Sequence, residues 1–92
     1  MYYTYVLRCF NSSSPHDYDF YIGFSADLPS RESAHKLNSV KTTKKFVKIE
    51  LVYYEVCFSK KDALVRERQL KTGFGRGYLK RRISNYLKDK RG

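Results

Sequence analysis

Tyr21-Ile22-Gly23-Phe24-Ser25-Ala26-Asp27-Leu28-Pro29-Ser30-Arg31-Glu32-Ser33-Ala34-His35 is the stretch in which the chain changes its period. Phe20 to Ser25 is short, aromatic and preceded by turn chemistry, which predicts a strand. Gly23 inside it marks a bulge or a place where another backbone or a ligand comes close, because no side chain fills the space. Ser25 and Asp27 are N-cap residue types, and Pro29 falls in a first turn, where its missing N–H costs nothing. A helix is therefore predicted from about Leu28 to Leu37, with Arg31 and His35 four apart on one face.

Upstream, Tyr2 to Phe10 alternates, with Tyr3, Tyr5, Leu7 and Cys9 on one side and Tyr2, Thr4, Val6, Arg8 and Phe10 on the other, and predicts a strand. Asn11 to Asp19 carries Ser-Ser-Ser-Pro and reads as the long tip of an antiparallel hairpin. Downstream, Asn38 to Lys48 is polar and basic and predicts an exposed loop able to track a phosphate backbone. Ile49 to Phe58 is rich in β-branched and aromatic residues and predicts a third strand. Ser59, with Asp62 three residues on, caps a helix over about Lys60 to Thr72 that Gly73 is placed to stop. Gly73, Gly75 and Gly77 then interrupt the chain before a basic amphipathic helix at about 78–90, whose apolar stripe is Leu79, Ile83, Tyr86 and Leu87. The expected order is β-β-α-β-α-α, a small α+β domain with a three-stranded antiparallel sheet covered by helices.

At 92 residues the chain has room for one core, so residues 1–92 are read as a single domain. Aromatics at 16% argue for a packed interior despite 30% charged residues. The longest apolar run, Leu51 to Tyr54, is far short of the ~20 residues of a transmembrane helix, and no signal-peptide pattern opens the chain, so a soluble cytoplasmic protein is expected. Cys9 and Cys57 are too few for a disulfide scaffold and too far apart for a zinc knuckle, and are expected to be small buried side chains. The net charge of +10 is unevenly spread: residues 1–34 hold two basic and four acidic side chains, residues 35–92 seventeen and five. That polarity is the footprint of a polyanion binder, nucleic acid ahead of anionic membrane, although a merely solubilising cationic face has the same composition.

Glu67 is the most informative single position. Ala63, Leu70 and Phe74, at i−4, i+3 and i+7, place it in the inward stripe of its helix, where a carboxylate needs a cation, hydrogen bonds or a metal. From spacing alone, an ion pair with one of the nineteen Lys and Arg is favoured over a metal. Taken singly, Arg31 and His35 read as a solvated helix face, and Tyr5 and Tyr21 as core aromatics.

As an ordered set these residues form a pattern. The chain resembles the GIY-YIG nuclease family. Tyr21-Ile22-Gly23 is the YIG element, and Tyr3-Thr4-Tyr5 stands at the GIY position and keeps only its final Tyr. Arg31 and His35 follow Tyr21 by the family's ten and fourteen residues, and Glu67 stands at the family's metal-binding Glu. Gly73-Phe74-Gly75-Arg76 onward is similar to the ending of small stand-alone bacterial members, related to the nuclease domain of the excinuclease C subunit. The linker from Tyr5 to Tyr21 is longer than usual in the family.

The resemblance implies an endonuclease that hydrolyses phosphodiester bonds with one divalent ion, Mg²⁺ or Mn²⁺, held by Glu67 as the single protein carboxylate. It assigns Tyr5 as base or water-orienting group, Tyr21 as a partner of the same water or phosphate, Arg31 as the stabiliser of phosphate charge, and His35 as holder of the Tyr5 hydroxyl or acceptor of its proton. Gly23, Lys36, Lys41, Thr43, Lys44, Lys45, Arg76, Lys80 and Arg81 would contact substrate, mostly through its backbone. DNA is expected ahead of RNA, with structure-selective cleavage in repair or recombination and a partner protein supplying specificity. The competing class is a nucleic-acid-binding module with weak or lost catalysis beside a partner nuclease.

Overall fold

The computed structural model describes residues 1–37, 43 and 45–89. The alternating N-terminal segment forms β1 (Tyr2–Phe10), which lies in the middle of the sheet between β2 (Tyr18–Ser25) and β3 (Lys48–Cys57), both antiparallel to it. Alternation on a central strand serves two cores here. Tyr5, Leu7 and Cys9 pack with Leu28 and Ile49 on the side of α1 (Leu28–Lys36). Val6 packs on the opposite face with Ile22 and with Leu70 and Leu79, which come from α2 (Lys60–Leu70) and α3 (Gly73–Arg82). Each such side chain contributes ~1.5–3 kcal/mol on burial, so neither helical layer is dispensable. The Thr4 hydroxyl donates to the Ala63 carbonyl at 2.8 Å and ties α2 to the central strand.

A bulge opposite Val6 and Leu7, with Val52 as the extra residue of β3, reverses that strand's facing. Ile49 and Leu51 therefore join the α1-side core, while Tyr53 packs on the α2 side. Glu55 also turns to the α2 side, where it accepts from Arg66 Nε and Nη2 at 2.8 and 2.9 Å and from the Tyr53 hydroxyl at 2.8 Å. Burial alone would raise the Glu55 pKa, but the Arg66 and Tyr53 hydrogen bonds outweigh it and hold the carboxyl below its ordinary range.

The α+β class and the antiparallel sheet are as expected, but the glycine-rich segment differs. It does not separate two helices; it begins one. Thr72 Oγ1 donates to the Gln69 carbonyl at 2.8 Å, at the end of α2, and accepts from Gly75 N at 3.1 Å, at the start of α3. A Cβ at Gly75 would stand 2.5 Å from the Gln69 oxygen and from the Leu70 Cα, so the glycine is what lets the two helices meet so closely. The helix expected at 78–90 is instead the second half of α3 followed by α4 (Ser84–Asp89), giving β-β-α-β-α-α-α, and Lys90 lies outside the described residues.

Both cysteines are free, Cys9 buried and Cys57 half-buried rather than buried. Cys57 is opposite Tyr2 and Cys9 is seven residues further along β1, about 23 Å at strand rise, which rules out a bond between them. Burial pushes the Cys9 thiol up to about 12, with a smaller push from Asp19. No helix of the described residues is long and apolar enough to cross a membrane.

Candidate active site

Tyr5 and Gly23 are direct neighbours across β1 and β2. The Tyr5 ring crosses the space a side chain at position 23 would need: a Cβ there would overlap the phenol carbon and hydroxyl. Gly23 is thus required by the close approach of this chain's own tyrosine. The sequence places it among substrate contacts; the structure accounts for it without one.

The α1 helix brings the next two residues. Asp27 caps it by accepting from Ser30 N at 3.3 Å, and Pro29 fixes its first turn. One turn separates Arg31 from His35, and both turn toward the sheet. His35 is fully buried. Its Nε2 lies 2.8 Å from the Tyr5 hydroxyl, and its Nδ1 lies 2.7 Å from Thr43 Oγ1. The Tyr21 ring packs edge-on against the imidazole, with centroids 5.0 Å apart. The Arg31 guanidinium is exposed, yet reaches the hydroxyls of both Tyr5 and Tyr21.

These contacts set the charge states. Burial raises the Tyr5 pKa above the ordinary phenol value of 10.0, and the Arg31 hydrogen bond only partly offsets it. Burial first, and then the Arg31 charge, lower the His35 pKa below 6.5. At neutral pH the pair is a neutral phenol against a neutral imidazole, with one ring nitrogen donating and the other accepting. The Thr43 hydroxyl can serve either role, so a proton can lie on either side of the Tyr5–His35 bond without leaving His35 unsatisfied.

Glu67 comes from α2, on the other face of the sheet from α1. It is half-buried on α2, paired with Lys71 at 3.1 Å, and near enough for its charge to act on the Tyr5 phenol. Its inward stripe consists of Ala63 and Leu70; Phe74, expected to extend that stripe, starts the separate helix α3 and is 82% exposed. Among the described residues no three His, Cys, Asp or Glu side chains cluster to form a cage for a metal.

The model of the GIY-YIG catalytic domain matches residues 1–79. The chain belongs to the GIY-YIG family. No significant match is found among curated proteins or among solved structures. Membership of the GIY-YIG family implies a nuclease-type function with a nucleic-acid substrate. Tyr5, Tyr21, Arg31 and His35 converge around one pair of hydroxyls, and the charge of Glu67 is felt at the Tyr5 phenol.

The remaining candidates scatter. The sequence predicts Thr43 on an exposed loop as a substrate contact; it is instead fully buried behind His35. Lys36 is exposed and paired with Glu32 at 3.2 Å, and Lys45 is exposed over the Phe46 ring. Lys41 and Lys44 lie outside the described residues. Arg76, Lys80 and Arg81 are exposed on α3, and the first two line a cleft beside β2. Sequence reasoning missed Thr43 as the His35 partner; it expected a Lys or Arg against Glu67, and the structure supplies Lys71. Only Lys71, four residues after Glu67 on one helix, left a local signal.

Proposed function

We propose that the protein is a divalent-metal-dependent endonuclease cutting phosphodiester bonds in nucleic acid, DNA ahead of RNA, and that it acts on branched or interrupted structures in repair or recombination. The observation that carries the reading is the Tyr5–His35–Thr43 chain with Arg31 at the Tyr5 hydroxyl. A merely structural tyrosine needs one hydrogen-bond partner; this one has a proton acceptor behind it and a cation beside it.

The donor set suits a hard cation that keeps most of its water. Glu67 offers a single carboxylate, and Mg²⁺ or Mn²⁺ commonly binds through one or two carboxylates with substrate phosphate and water completing the shell. When bound, such an ion supplies Lewis-acid stabilisation of phosphate charge and acidifies water. Around it the chain's own residues do the rest. Tyr5 takes a proton from the attacking water on its oxygen while its own proton passes to His35 Nε2, so no phenolate has to form in a site that disfavours one. Thr43 accepts from Nδ1–H and holds the imidazole in the tautomer this transfer requires. Tyr21 orients the same water or a phosphate oxygen, and Arg31 faces the charge that builds on the phosphate.

The test is a panel of labelled duplex, flap, nicked and single-stranded DNA and RNA, with and without Mg²⁺ or Mn²⁺, and Glu67→Gln alongside. Divalent-dependent cleavage that Glu67→Gln abolishes while retaining binding supports the reading. Salt-dependent binding without cleavage by the parent would favour a binding module instead.

A further inference from the structure

Beside β2, away from the Tyr5–His35 pair, lies a cleft of about 410 Å³ walled by His16, Tyr18, Asp19 and Phe20 on one side and by Arg76 and Lys80 of α3 on the other. A second cleft of about 300 Å³ shares Phe20 and Arg76 with it and continues past Ile22 and Lys71 to Tyr21. The two clefts adjoin at Phe20 and Arg76 to form a groove along the edge strand, and the second is lined by Tyr21, a residue of the candidate active site.

The two walls differ in chemistry. The helical wall carries cations: Lys71 at the active-site end, then Arg76 and Lys80. The strand wall carries the rings of Tyr18 and Phe20. Arg76 and Lys80 are about 6 Å apart along a helix, and Tyr18 and Phe20 about 7 Å apart along a strand, so the cations and the rings have similar spacings. The rings are held in place: Tyr18 tilts against Phe20 and Phe10 with centroids 5.7 Å apart in both pairs, and the Arg8 guanidinium lies 4.9 Å from the Tyr18 centroid. Arg8 is itself buried and fixed by Glu50, with Nε at 2.7 Å. Rings that are already immobilised lose little rotamer freedom when a ligand stacks on them. Asp19, the one acid in the lining, sits on the strand wall, where it accepts from Asn11 Nδ2 at 3.3 Å.

A paired duplex presents phosphates and base edges but buries its base faces in its own stack. Rings opposite a row of cations are matched only by a strand whose bases are unpaired. We propose that this groove seats a single-stranded nucleic-acid segment leading into the scissile position, with phosphates on Arg76 and Lys80 and bases on Tyr18 and Phe20. The substrate is then a junction with one unpaired strand rather than continuous duplex. This deepens the nuclease reading above and rests on it.

Binding without divalent metal separates the two. In fluorescence anisotropy on the full chain, Tyr18→Leu and Phe20→Leu are each expected to weaken binding of labelled DNA or RNA single strands by on the order of ten-fold, leaving duplex affinity within two-fold. Arg76→Gln and Lys80→Gln should each lower the single-strand salt slope by about 0.7. Melting curves check folding. If a leucine variant does not fold, an iodouracil-bearing single strand photo-cross-linked to the parent is expected to map to Tyr18 or Phe20. Unchanged single-strand affinity, an equal loss on duplex, or cross-links only elsewhere would overturn the groove assignment. Absence of divalent-dependent cleavage by the parent would overturn the nuclease reading and leave the binding result standing; undiminished cleavage by Glu67→Gln would overturn only the metal assignment.

Discussion

At the scale of single residues, Tyr5 separates a chemical role from a packing role. Tyr5→Phe keeps the ring that crosses Gly23 and removes only the hydroxyl shared by His35 and Arg31. Single-turnover cleavage should fall by ~10²–10⁴. The melting temperature should drop modestly, because the buried His35 Nε2 loses its partner. Tyr3→Phe, on the same strand face, is the control; equal activity in the two variants would reduce Tyr5 to a core aromatic. Thr43 makes a subtler claim. Thr43→Val should slow cleavage about tenfold and change the acid limb of its pH profile, and Thr43→Ser should restore both; a purely steric role would show no rescue by serine. The pH dependence has a definite sign. His35 is held below 6.5, so the neutral form is the folded form, and the acid limb of activity should lie below the ordinary histidine value. Stability should fall as pH drops from about 6.5 through the lowered folded pKa and then level off, a step that urea melts of His35→Gln should lack.

Among the elements, the junction of α2 with α3 is where local signals mislead. Three glycines in five residues read as a break. In the fold Gly75 serves contact between helices, while Gly73 has nothing within 4 Å of where a Cβ would be. Gly75→Ala should therefore destabilise by about 1–3 kcal/mol through overlap with the Gln69 and Leu70 backbone. Gly73→Ala should be neutral or stabilising by up to about 1 kcal/mol, since it meets open space. Urea denaturation of both variants checks the contrast, and similar midpoints would mean that α3 can shift to make room. The strands and α1 were legible because their signals are local: alternation in Tyr2–Phe10, and Asp27 with Pro29 at a helix start. The bulge in β3 was not, because an extra residue leaves no mark in composition and is decided by pairing with β1.

For the whole molecule, charge asymmetry predicts how the protein meets a polyanion. With about four to six phosphate contacts, duplex affinity should fall with a log–log salt slope of about −4 to −5, measurable by titration between 50 and 200 mM salt. A slope near zero would contradict any nucleic-acid role. The linear chain is enough to read off the roster: an α+β fold, a basic second part, and Tyr5, Tyr21, Arg31, His35 and Glu67 at their spacings. Capping, alternation and charge act over a few residues and can be read along a line. Who meets whom is settled by packing between elements distant in the chain. Tyr5 and His35 are 30 positions apart and are hydrogen-bonded at 2.8 Å; Thr43, indistinguishable in sequence from its polar neighbours, is buried as the third member of that chain. The groove likewise needs β2 at the sheet edge and α3 folded back beside it, so that cations from one and rings from the other face the same space. Such contacts depend on the packing of two cores against one central strand, and no local stretch of the chain encodes them.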